Sequence, residues 1–153
     1  MTSSPVTRTD EAISLSAAQE VAAAVLAAAE DRGVRLAVVV ADQRGAPVLV
    51  VRMDGANDFV LDNAVAKART TVFFKRGTGE LYGYLQDRPA LAAAMSSRSG
   101  IMASEGGEPL RVGEQVVGGI GASGANPTVD QECVDEGVRA FGAMLARTGA
   151  VSA

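Results

Sequence analysis

Leu36-Ala37-Val38-Val39-Val40-Ala41, followed by Asp42-Gln43-Arg44-Gly45 and then Val48-Leu49-Val50-Val51-Arg52, is the stretch whose reading decides the fold. An unbroken apolar run suits a strand covered on both faces, because a strand with one wet face alternates instead. Asp at the first and Gly at the last position of the next four residues is the pattern of a type I turn. The second apolar run therefore returns beside the first. Strands joined by so short a turn pair antiparallel, since parallel pairing needs a crossover of a dozen or more residues.

Upstream, Leu15, Ala18, Ala22, Val25, Leu26 and Ala29 recur at helical spacing. They predict an amphipathic helix of about 16 to 19 residues starting near Ser14. Ser16 with Gln19 is placed as a capping box, and Gly33 suits a left-handed C-terminal cap. Residues 1–13 read as a flexible arm. Downstream, Asn57 or Asp58 caps a second helix that runs to about Arg76. The stretch 77–109 is less regular, with short helices near 81–85 and 89–95 and a loop at 96–100. Glu105-Gly106-Gly107-Glu108-Pro109 reads as a flexible turn carrying two carboxylates. Strands follow near 110–112 and 115–122, joined by the tight turn Gly113-Glu114. Asn126 then caps, Pro127 takes the first helical position, and a closing helix runs from Thr128 to about Arg147. The domain is expected over 14–147, with 148–153 as a tail. The order α-β-β-α-(short helices)-β-β-α indicates the α+β class, an antiparallel sheet flanked by helices.

A chain of 153 residues can bury roughly 70% of its unfolded surface in one core. Hydrophobic residues make up 48% of it and aromatic residues only 4%, so that core must be built from Ala, Val, Leu and Ile. A net charge of -4 and a pI near 4.8, with no Lys/Arg run, argue against a nucleic-acid partner. Cys133, the one cysteine, excludes an internal disulfide and reads as a buried helix residue. The polar N-terminus shows no secretion signal, and no apolar run is long enough to span a bilayer. A cytoplasmic protein without membrane partners is expected.

Gly119-Ile120-Gly121-Ala122-Ser123-Gly124 matches G-x-G-x-x-G formally. No second strand follows the helix after it, so a dinucleotide fold is not supported. Two readings of the glycines stand. The turn into the last helix can seat an anion on its amides, with Gly121, Ser123, Gly124 and Asn126 as ligand-binding residues. Alternatively, the glycines admit a close-packed helix. Asp130 falls in the first turn of that helix, where the dipole favours it.

On the second helix Val60, Leu61, Ala64, Val65, Ala68 and Val72 define the apolar face, and Thr71 points within it. Lys67 stands at its border, where a lysine is expected to snorkel to solvent. Aimed into a pocket instead, its ammonium would lose pKa by desolvation and suit anion binding, acid/base or Schiff-base chemistry. Arg52 and Asp54 form either a surface pair or the mouth of the same pocket. The chain has no His, which excludes Ser-His-Asp hydrolysis and imidazole metal sites. No metal site is expected.

Arg52-Met53-Asp54-Gly55-Ala56, Ala66-Lys67-Ala68 with Thr70-Thr71, Gly106-Gly107-Glu108-Pro109-Leu110, and Gly118 to Gly124 with Asp130 together resemble the GlcG/HbpS family of haem-degrading domains, which includes the C-terminal domain of PduO. The resemblance runs from about Leu15 to Leu145. It implies a three-layer, profilin-like fold and homo-oligomers. It also implies haem binding or degradation, while other members are linked to small organic acids. Haem as cofactor would need a Tyr, Met, Cys or Lys ligand here, or propionate and apolar contacts alone. Two functions follow. One is a small-ligand-binding protein with an anion pocket. The alternative is an enzyme of lyase, isomerase, deaminase or hydrolase type acting on a small organic acid, with Arg52, Lys67 and the turn from Gly121 to Asn126 holding the anion while Glu105, Glu108 or Asp130 moves a proton. Tyr82 and Tyr84 are spare donors. A purely structural assembly protein is a third reading.

Overall fold

A computed structural model describes residues 6–150, so the ends of the expected arm and tail lie outside the described residues. The elements are α1 (Leu15–Asp31), β1 (Ala37–Asp42), β2 (Pro47–Arg52), α2 (Asp58–Phe74), α3 (Thr78–Leu85), α4 (Pro89–Ser96), β3 (Gly107–Val112), β4 (Gln115–Ser123) and α5 (Pro127–Thr148). The four strands form one antiparallel sheet in the order β2-β1-β4-β3. The expected α+β architecture is the observed one.

β1 is buried on both sides, as its unbroken apolar run requires. Val38 and Val40 join the core made with Val21, Val25, Val134 and Phe141 of α1 and α5. Ala37, Val39 and Ala41 meet Ala64 and Ala68 of α2 on the opposite face. Successive strand residues point to opposite faces, so one strand serves both cores and the molecule has three layers.

The α2 face of the sheet is made of small residues. Val50, Val39, Gly121 and Gly107 stand in one row across the four strands. A Cβ on Gly121 would collide with the Ala64 carbonyl and lie 2.5 Å from the Ala68 nitrogen. One on Gly119 would collide with the Thr71 hydroxyl. The glycines of β4 thus let α2 lie directly on the sheet.

Several local expectations are corrected. Ser14, not Ser16, caps α1, accepting from the Ala17 N–H at 3.2 Å. Ile13, inside the expected arm, is buried, and its N–H donates to the Val117 carbonyl at 2.9 Å. α2 ends at Phe74 because Lys75 turns left-handed, with φ 53°. β3 begins at Gly107, so Glu108 and Pro109 lie on a strand and not in a turn. Proline is tolerated there because β3 is an edge strand. Among the described residues no helix is long and apolar enough to cross a membrane.

Candidate functional site

Lys67 does not snorkel. The chain of this α2 residue runs over Gly121, whose missing side chain leaves it room, and the ammonium ends at the seam of β3, β4 and α5. There it donates to the Asp130 Oδ2 at 3.1 Å and to the Ala122 carbonyl at 3.0 Å. Both ionisable residues are 1% exposed. Gly106 closes the remaining side: a Cβ on it would lie 2.8 Å from Lys67 Nζ and 2.9 Å from Asp130 Cβ, and its φ of +114° is one that side chains rarely adopt. Desolvation pushes the Lys67 pKa down and the Asp130 pKa up. Their mutual attraction resists both shifts, and the backbone amides on the carboxylate resist the second.

At the glycine-rich bend, where the sequence suggests an anion seat, Asp130 takes the backbone amide. Its Oδ1 accepts from the Ala125 N–H at 2.9 Å, and the Gly124 amide holds it as well. Asn126 spends its side chain capping α5, accepting from the Val129 N–H at 2.9 Å. Ser123 is buried beside Ala37. The Thr71 hydroxyl donates to the Ala68 carbonyl at 2.7 Å under Gly119.

Arg52 and Asp54 are exposed, and Arg52 lies on β2, at the opposite edge of the sheet from β3. Arg52 shares a row with Ala37 and Ser123, about 10 Å from Ser123 by two inter-strand spacings. Its guanidinium donates to the Ala56 carbonyl. The structure therefore brings Lys67, Asp130 and the bend together and leaves Arg52 and Asp54 apart from them.

The acidic residues form a chain outside the pair. The Gln131 side chain accepts from the Gly106 N–H at 2.9 Å and donates to Glu108 at 3.0 Å and to Asp135 at 2.8 Å. Glu105 accepts from the Thr128 hydroxyl at 3.2 Å. Among the described residues no such cluster is placed to hold a metal ion. Burial pushes the Glu108 pKa up, with Asp135 and Glu80 adding repulsion, while the Gln131 amide and Arg111 oppose the rise. A carboxyl with a raised native pKa binds its proton more tightly folded than unfolded. The stability it lends is complete below the ordinary glutamate pKa and is lost as pH rises through the raised value. Glu108→Gln is accordingly expected to flatten the fall in melting temperature above about pH 4.5, the ordinary glutamate value. An unchanged slope would show that Glu108 does not carry it.

Open hollows lie elsewhere. A cleft of about 510 Å³ is walled by Tyr82, Leu85, Pro89, Ala92, Met95 and Ile101. A second hollow, of about 520 Å³, meets it at Met95 and Ile101 and continues past Phe73, Phe74, Tyr84 and Leu91 to Arg76 and Arg98. In the other direction a third depression shares Tyr82 and Ala103 and ends at Glu105 and Pro127. The three hollows adjoin along α3 and α4, with Met95 and Ile101 as the wall common to the first two and Tyr82 and Ala103 as the wall common to the first and third, and are called the trough. α4 reads PALAAAMS, yet buries none of its residues. Sequence reasoning missed this region apart from the two tyrosines, although an apolar helix without a polar face was the available signal.

Comparison with known proteins gives four related findings. The sequence model of the haem-degrading HbpS-like family matches residues 13–139. An uncharacterized 15.0 kDa protein of the dhaT-dhaS intergenic region of Citrobacter freundii is 32% identical over 121 residues, covering 78% of this chain and 84% of that protein. The crystal structure of Klebsiella pneumoniae protein ORFY is similar with a TM-score of 0.86 and 30% identity, over 93% of this chain and 99% of that one. A PduOC:haem complex is similar with a TM-score of 0.79 and 26% identity, over 84% of this chain and 94% of that one.

Proposed function

This chain belongs to the HbpS-like family of haem-degrading proteins, and on that premise we propose that it binds haem, or a flat apolar ligand of the same kind bearing acidic groups, in the trough along α3 and α4. The observation that carries the reading is where the aromatic residues sit. The chain has six, and Phe73, Phe74, Tyr82 and Tyr84 line this trough. A planar macrocycle gains from such offset-stacking surfaces and from apolar walls. The low aromatic content weighs against a haem pocket only if the rings are dispersed.

The residues present fit the group. Tyr82 offers a phenol and Met95 a thioether, donor types that meet haem iron in the absence of histidine. Arg76 and Arg98 stand at one end for acidic substituents. A bound haem would supply the iron and its redox chemistry, while this chain binds and orients the ring and excludes water. Lys67 takes no part, since Asp130, Ala122 and Gly106 enclose it. The anion pocket thus moves from the bend to the guanidinium end of the trough. Self-association, implied by the family resemblance, and a cytoplasmic location complete the proposal.

Absorbance titration with haemin is expected to give a saturable Soret shift at micromolar concentration. Met95→Asp, which puts a charge on the wall common to both hollows, is expected to weaken binding about tenfold or more. No Soret shift in the wild type would overturn the reading.

A further inference from the structure

We propose that Arg69 and Arg98, with Arg76 beside them, form a clamp for the carboxylates of the trough ligand and so fix which way round it enters; this rests on the ligand reading above. Arg69 Nε is buried with no hydrogen-bond partner. A buried guanidinium N–H without an acceptor is costly, and a charged acceptor returns most. The Arg69 guanidinium lies over the Phe73 ring at 5.4 Å from its centroid, and its NH1 is 3.5 Å from where a Gly100 Cβ would be. Arg98 reaches the same place from the loop. It lines the Phe73 hollow and a further depression of about 430 Å³ that Gly100 also borders. Arg76 rests on the Tyr84 ring, 5.1 Å from its centroid.

None of the three takes part in an ion pair among the described residues. In a chain of net charge -4, Arg76 and Arg98 lining the Phe73 hollow and Arg69 lying over the Phe73 ring, all three without carboxylate partners, need an explanation. Their forks match the geometry of carboxylates two oxygens at a time, which lysines would not. The two ends also differ in charge, because Glu105 stands at the far one. Acidic substituents are repelled there and drawn to the arginines. Asp62 is the one carboxylate among the residues lining the smaller depression with Arg98.

The test compares iron protoporphyrin IX with its dimethyl ester, which keeps the ring and masks both carboxylates. Wild type is expected to bind the free acid about tenfold more tightly or better. Arg98→Ala and Arg69→Lys, the second keeping charge and stem while removing Nε, are expected to lose most of that preference, their affinity for the free acid falling toward that for the ester. Equal affinity of wild type for the two forms, or an undiminished preference in both variants, would overturn the clamp and leave the ligand reading in place. Binding of neither form would overturn both.

Discussion

Lys67→Ala is expected to cost about 3–5 kcal/mol of stability, lowering the melting temperature on the order of 10 °C, without weakening ligand binding below the melt. The substitution leaves the Asp130 carboxylate buried, with its two backbone amides but without its counter-charge. The Ala122 carbonyl loses its donor as well. The cost comes from stranding a charge and not from the pair's net worth, because desolvation of both ions offsets much of their attraction. Lys67→Met combined with Asp130→Asn is therefore expected to recover half or more of the loss. The Asn carbonyl oxygen can still accept from Ala125, and no charge remains. Calorimetric melts and haemin titration on the same samples separate the possibilities. A Lys67→Ala protein that melts like wild type but no longer binds would return the lysine to the ligand site.

Gly121→Val is expected to lower the melting temperature by on the order of 10 °C, through loss of about 3 kcal/mol. The first added carbon already collides with the backbone of α2 at Ala64 and Ala68, and backbone does not yield as a side chain does. Relief would require α2 to lift as a unit. That would open the contacts of Ala64 and Ala68 with Val39 and withdraw Lys67 from Asp130. Gly142→Ala is the matched control, since α5 passes there with nothing within 4 Å of the new carbon. It is expected to gain about 0.5–1 kcal/mol from helix propensity. A Gly121→Val protein melting within about 3 °C of wild type would refute the close approach of α2.

Strand and helix identities were legible because local chemistry declares them. The unbroken run 36–41 announced a strand buried on both faces, and Asn126-Pro127 marked the start of α5. β3 was read too short because Gly106-Gly107 before Pro109 looks like a turn. The glycines are there for tertiary reasons, with Thr71 and Thr78 packed against Gly107. The central pairing of β1 with β4 joins strands far apart in sequence, and no local pattern encodes it. The same distance hid the partnership of Lys67 and Asp130, 63 positions apart. Each was singled out alone, the lysine by its place on an apolar face and the aspartate by its place in a first helical turn. The arginines of the trough escaped notice for a different reason. Arg69, Arg76 and Arg98 are spread over a helix, its end and a loop, and only folding gathers them.

Amide hydrogen exchange with and without haemin bears most directly on where ligand binds. Slowed exchange from 73 through 103, with 64–68 and 121–130 unchanged, is the footprint of a ligand lying along α3 and α4 beside an already closed ion pair. Protection confined to 121–130, with α3 and α4 exchanging as before, would place the ligand on the glycine-rich bend and contradict the trough.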